Sequence, residues 1–265
     1  MGTYVEIGGL RTWYDEQGTG DPLVLLHGGL VTNETWGMQL PAFAERFHVY
    51  APERRAHGHT PDVEGPLNYD DMAADTIGFI ESVVGGPAAL VGWSDGGNVG
   101  LLVAVARPDL VRKLVVVGSN FAPSGESSVP GAAEMSEQMT PDSPDLAMFR
   151  GLYEAASPDG ADHWPVVVGK LLEMWSTQPD IPLSALARIE APTLVVVSDD
   201  DMMTFEHTLE LYRAIPNSEL AVLPGTSHAL LMEKPDLANR IILDFLEKEP
   251  VPTMMPFRRA SHDGH

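Results

Sequence analysis

Three stretches of this 265-residue chain hold side chains that together can carry nucleophilic chemistry. The first is Gly92-Trp93-Ser94-Asp95-Gly96, a G-x-S-x-G string that follows a short apolar run and opens a segment with helical spacing. A turn passing directly from strand to helix is so tight that small residues must flank it, and it lifts the serine hydroxyl above the sheet edge at a helix N-terminus. Gly97 adds room for close packing. The plainer reading, a glycine-rich turn whose serine only caps a helix, loses ground once the partners are found. A serine hydroxyl is a poor nucleophile at neutral pH and needs a general base, which an acid in turn orients. Of the nine histidines, only His228 sits just beyond the last expected strand, in Leu223-Pro-Gly-Thr-Ser-His228, at the same sheet end as Ser94. His48 falls inside a strand, His207 on a helix, His163 in a long connection, and His262 and His265 in the C-terminal segment. For the acid, the apolar run 193–197 ends in Ser198-Asp199-Asp200-Asp201. Only one of these carboxylates can face His228, and the other two are expected to be solvated or to cap a helix. The preceding strand ends in Gly118-Ser119-Asn120, without a carboxylate.

Acyl transfer at a serine also requires backbone N–H donors fixed before the reaction begins. One is expected from Asp95, the residue after the nucleophile, with its side chain incidental to that role. The second is expected from His27-Gly28-Gly29-Leu30, where glycines let the backbone approach a substrate carbonyl; Gly29 is the expected donor and Leu30 the alternative.

The elements that must position these residues follow from periodicity. Residues 3–7 and 10–16 alternate and join through Gly8-Gly9, the pattern of an antiparallel hairpin. Continuous apolar runs then appear at 22–26, 47–51, 88–92, 113–118, 193–197 and 219–223. Runs without alternation are strands buried on both faces. Helical spacing separates them at 34–46, 69–84, 96–107, 205–215 and 235–248. Strand and helix in regular alternation predict an α/β fold, a mostly parallel eight-stranded sheet with helices on both faces. One connection breaks the rhythm, with about seventy residues lacking a strand where such connections are usually short. It carries helical pieces near 144–155 and 161–175 and is expected to be a helical cap over one end of the sheet. The expected division is a core of 1–119 and 191–249, a cap of 120–190 and an irregular or disordered tail of 250–265; no internal repeat is visible. A substrate pocket is expected under the cap, lined by Leu30, Trp93, Met148, Trp164 and Trp175. Phe149 and Met174 are further large apolar residues there, with Met135 and Met139 earlier in the cap.

Composition excludes several other chemistries. With 16 Lys+Arg against 38 Asp+Glu the net charge is −22, and no basic stripe exists to meet a phosphate backbone, so no nucleic-acid partner is expected. The absence of cysteine removes disulfides, thiolate metal sites and a cysteine nucleophile. A metal site is not expected either: His57-Gly58-His59 begins an HxHxDH pattern, but Pro61 and Asp62 stand where its Asp and His are required. No phosphate-binding G-x-x-x-x-G-K-[ST] loop is present. Residues 1–6 lack a basic stretch leading into an apolar one, and the longest apolar runs are far too short for a bilayer, so a cytoplasmic protein with no membrane partner is expected. The cap alone holds eleven acidic residues against three basic ones, a net charge of −8.

Taken together, the His27-Gly-Gly29 loop, the Gly92-Trp-Ser-Asp-Gly96 elbow, the late-strand carboxylates and the Gly225-Thr-Ser-His228 loop resemble an α/β-hydrolase-fold serine hydrolase over residues 3–249. The chain order Ser, acid, His is that of this fold. In the family the late-strand loop typically reads G-D-x-D with the second Asp catalytic, which implies Asp201 here, with Ser198 in place of the Gly and Asp199 as the alternative. The family segment A-P-D-x-R-G-x-G-x-S appears as Ala51-Pro-Glu-Arg-Arg-Ala-His-Gly-His-Thr60, departing at Glu53, Ala56 and Thr60 in a stretch that is mainly structural. Dehalogenases and epoxide hydrolases of the fold carry Asp at the elbow, so Ser94 implies acyl transfer instead. The resemblance implies a cofactor-free carboxylic-ester hydrolase working through an acyl-enzyme on Ser94; the large apolar side chains and net charge of the cap add the expectation of neutral, largely apolar small-molecule substrates. Lactonase, perhydrolase or carbon–carbon bond hydrolase activity would use the same triad, and a ligand receptor or cofactor-free dioxygenase would use the same fold. Monomer and homodimer are both compatible with the sequence.

Overall fold

In a computed structural model of the chain, residues 2–127, 140–248 and 253–255 are described. Strands form where the apolar runs lie: β1 (Thr3–Ile7), β2 (Leu10–Gln17), β3 (Asp21–Leu26), β4 (Phe47–Pro52), β5 (Ala88–Trp93), β6 (Val111–Val117), β7 (Thr193–Asp200) and β8 (Ser218–Ser227). They make one sheet in the order β1-β2-β4-β3-β5-β6-β7-β8. β1 and β2 pair antiparallel, β2 pairs antiparallel with β4, and every later pairing is parallel. All six residues of β5 are buried, as the central strand of a sheet covered on both sides must be.

Alternate strand residues feed opposite faces. Val24, Leu90, Leu114 and Val116 join one apolar cluster with Tyr69 and Met72 of helix α2 (Tyr69–Phe79) and Val99 and Val103 of helix α3 (Asp95–Ala106). Leu23, Leu25, Val91 and Val115 join the other, with Phe43 of helix α1 (Leu40–Ala44) and Ile242 and Leu246 of the helix Pro235–Glu247. Each such side chain contributes about 1.5–3 kcal/mol by leaving water, so the two clusters fix the register that brings the carboxyl ends of β3, β5, β7 and β8 together.

Several boundaries differ from expectation; β8, for one, runs on to Ser227 instead of ending near 223. The helix expected over 34–46 is split into a 3₁₀ segment, Asn33–Met38, and the short α1, because Pro41 in the first turn of α1 cannot donate the backbone bond a continuous helix would need. β7 runs on to Asp200, so two of the three carboxylates lie in the strand and only Asp201 lies beyond it.

The connection between β6 and β7 carries the helices Ala147–Ala156 and Trp164–Thr177, each entered through a 3₁₀ turn. Tyr153, Trp164, Val167, Leu171 and Met174 bury themselves in the cluster that also holds Val24 and Leu90. The insertion is further tied to the loop after β4: Asp62 Oδ2 accepts a hydrogen bond from Lys170 Nζ at 2.6 Å and lies 2.8 Å from His163 Nε2. The backbone N–H of Asp62 donates to Asp159 Oδ2 at 2.7 Å. Met135, Met139 and nearly all of the expected tail lie outside the described residues. Among the described residues no helix is long and apolar enough to cross a membrane.

Candidate active site

β5 ends at Trp93 and α3 begins at Asp95, leaving Ser94 alone to make the turn, with φ 54° and ψ −123°. A non-glycine residue rarely adopts that conformation, and the surroundings explain how it is enforced. A Cβ on Gly96 would stand 1.9 Å from Leu26 O, and one on Gly92 would stand 2.3 Å from Gly96 O. Helix and strand therefore approach to backbone contact only because both positions are glycine. Ser94 N donates to Val117 O at 2.8 Å, and Ser94 O accepts from Gly97 N at 2.8 Å and Ser119 Oγ at 3.1 Å.

Beyond β7 and β8 the structure joins Asp201 to His228. Asp201 Oδ1 lies 2.8 Å from His228 Nδ1 and also accepts from Met203 N at 3.2 Å. Its Oδ2 accepts from Ser198 Oγ at 2.7 Å. Burial works to raise the Asp201 pKa, but His228 and then Ser198 and Met203 outweigh it and hold the carboxyl below its ordinary value. An ionised carboxylate at Nδ1 keeps the proton on that nitrogen and leaves Nε2 as the acceptor. Asp199 and Asp200 are exposed, and Asp199 Oδ1 instead accepts from Thr226 N at 3.1 Å. Trp93 Nε1 donates to His228 O at 3.0 Å, tying the residue before Ser94 to the histidine loop. Gly118 (φ 55°) closes β6 beneath the pair, where a Cβ would meet the His228 ring at 3.0 Å.

The glycine loop after β3 lies against the elbow. A Cβ on Gly28 would lie 3.5 Å from Ser94 Cβ, and one on Gly29 would lie 2.7 Å from Asp95 Oδ2 and 2.6 Å from Trp175 Cζ2. Leu30 has φ 59°, so the chain turns sharply just past the expected donor. His27 is fully buried, and burial, reinforced by Arg54 and His57, pushes its pKa far down. The ring is therefore neutral: Nδ1–H donates to Gly28 O at 2.7 Å, and Nε2 accepts from Arg54 N at 3.0 Å.

The Asp95 side chain, apart from the backbone N–H expected to act as a donor, has partners of its own. It is buried, with Oδ1 accepting from Tyr69 Oη at 2.8 Å and Oδ2 from Trp175 Nε1 at 3.1 Å. One carboxylate thus connects the elbow, α2 and the β6–β7 insertion. Sequence reasoning missed Tyr69 because nothing local links position 69 to position 95. Of the expected pocket residues, Trp175 lies over Gly29 and Trp93 against His228. Trp164 and Leu30 line a small cavity shared with His57, Tyr153 and Val167. Met148 does not join them: it is 66% exposed, because it faces solvent from its helix.

Comparison with known proteins agrees with this fold. The chain matches the alpha/beta hydrolase family over residues 23–241, and it belongs to that family. It is similar to the serine hydrolase BPHL of Homo sapiens, 28% identical over 254 residues that cover 92% of this chain and 85% of that protein. It is also similar to the 2-hydroxy-6-oxo-6-(2'-aminophenyl)hexa-2,4-dienoic acid hydrolase of Metapseudomonas resinovorans, at 27% identity over 265 residues, 92% of this chain and 90% of the other. A solved serine hydrolase involved in carbazole degradation superposes with a TM-score of 0.75 at 26% identity, covering 93% of this chain and 98% of that one. The protein is an α/β-fold hydrolase.

Proposed function

We propose that the protein hydrolyses carboxylic esters of neutral, largely apolar small molecules through an acyl-enzyme on Ser94. The observation that carries this reading is the Asp201–His228 hydrogen bond at the sheet edge that also bears the strained serine turn. Ser94 Oγ attacks the ester carbonyl carbon while His228 Nε2 takes the hydroxyl proton. The negative oxygen of the tetrahedral intermediate is received by the N–H groups of Gly29 and Asp95. Collapse expels the alkoxide, which leaves as the alcohol with the proton from His228. Water then attacks the acyl-enzyme, gives its proton to His228, and releases the acid and Ser94. Asp201 holds the imidazole and balances its charge throughout. In this reading residues 120–190 form a cap that shapes the pocket, with Trp175 beside the Gly29 donor.

A panel of p-nitrophenyl esters and lactones, run beside a serine-directed phosphonate probe, tests the proposal. The wild-type protein is expected to turn over neutral esters and to be labelled on Ser94, and Ser94→Ala is expected to lose both. Turnover surviving in Ser94→Ala would refute the mechanism. A lactone hydrolysed well above every open ester would move the substrate class while keeping the triad.

A further inference from the structure

The stretch 51–60 contains a buried cation to which the proposed reaction gives no role. Arg54 is 4% exposed, and its guanidinium meets the backbone of the glycine loop. Nη2 donates to Gly28 O at 2.9 Å and Nη1 to His27 O. Gly28 O also accepts from His27 Nδ1 at 2.7 Å, so both lone pairs of this one carbonyl are engaged, one by a full positive charge. The cation is not stranded, since the buried Asp95 favours its charged form against the cost of burial.

The Gly28 carbonyl and the Gly29 N–H belong to one peptide unit. In a planar trans peptide these two groups point in opposite directions. Whatever clamps the carbonyl therefore sets the direction of the N–H, and a cation on the oxygen draws electron density through the amide and makes the N–H a better donor. We propose that Arg54 is a positioning residue for the oxyanion site, fixing and polarising the Gly28–Gly29 peptide from the side opposite the substrate. This rests on the proposed acyl transfer, in which Gly29 N–H receives the developing charge. It also gives the stretch 51–60 a role beyond the structural one that resemblance implies.

The test compares wild type, Arg54→Met and Arg54→Lys, each checked for folding by circular dichroism and thermal melting, with sites counted by phosphonate titration. Losing the aim of one oxyanion donor lowers kcat by about 10²–10³-fold, so Arg54→Met is expected to lose about 10²-fold in kcat per labelled site. KM should stay within about threefold, and the rate of phosphonate labelling should fall in parallel with kcat. Arg54→Lys, which keeps the charge but loses the planar fork, is expected to lie between. A merely structural role would lower the melting temperature and the labelled fraction while leaving turnover per site unchanged, and that result in a folded Arg54→Met overturns the proposal. If Arg54→Met does not fold, wild-type kcat in Arg54→Lys overturns it. In the wild-type phosphonate adduct the Gly29 amide proton is expected to move downfield in NMR spectra, and an unmoved Gly29 resonance overturns the proposal without any variant. Absence of Ser94-dependent labelling in the wild-type protein would instead sink the acyl-transfer mechanism itself.

Discussion

At position 201 one buried carboxylate divides its oxygens: Oδ1 orients His228, while Oδ2 is held by Ser198 Oγ. Asp201→Asn keeps the size but can place an N–H donor against Nδ1, favouring the wrong tautomer. Its kcat is expected to fall by about 10³–10⁴-fold, whereas Asp199→Asn, whose parent side chain is exposed and bonded to Thr226, should stay within about threefold. Comparable losses in the two variants, measured on one p-nitrophenyl ester, would remove the distinction. Position 201 also shows what residue types alone can tell. Ser94 and His228 stand out because each falls where an expected strand ends. The three carboxylates do not separate, because an apolar run does not say how far past its last valine a strand continues. Family resemblance points to Asp201; the physical reason lies in β7, which carries Asp199 and Asp200 within the strand. Ser198 departs from the family's glycine, yet its hydroxyl supplies one of the bonds that keep Asp201 ionised.

Among the elements, the polar ties of the β6–β7 insertion to the core include Asp62 with Lys170 and His163, and Asp95 with Trp175. Burial would raise the Asp62 pKa, but Lys170 and His163 bring it below the usual carboxylate value. With its folded value below its unfolded one, Asp62 contributes stability that is fully present above about pH 4 and is lost as pH falls through the folded value. Asp62→Asn is accordingly expected to melt about 2–4 °C below wild type at pH 7, on the order of 1 kcal/mol. The two curves should converge as pH falls through the lowered folded value, where the wild-type carboxyl becomes protonated. Identical melting at pH 7 would show that this tie contributes no net stability. The elements themselves are legible in the sequence: all eight strands and the two longer described helices of the insertion lie where periodicity puts them. The ties between them are not, because hydrogen bonds that join position 62 to 170, or 95 to 69 and 175, leave no trace in local spacing.

Across the whole molecule charge is the governing property, −22 overall and −8 over residues 120–190, the segment proposed to cover the site. Such a field lowers the local concentration of anions, and salt weakens it. Neutral esters are expected to exceed anionic analogues of equal size by roughly tenfold in kcat/KM at low ionic strength, with the gap shrinking in added sodium chloride. A preference for the anionic ester at low salt would reverse the reading. Net charge is plain from composition, whereas the closeness of the insertion to Gly29 through Trp175 is visible only in three dimensions. The serine turn, finally, bears on how the chain can evolve. At φ 54° Ser94 holds a conformation that costs of order 1–3 kcal/mol for any side chain and almost nothing for glycine. Selection for folding alone would therefore drift this position toward glycine. A serine retained there gives up part of the molecule's thermal margin, and a lineage that lost the need for the reaction would gain stability by losing its nucleophile first.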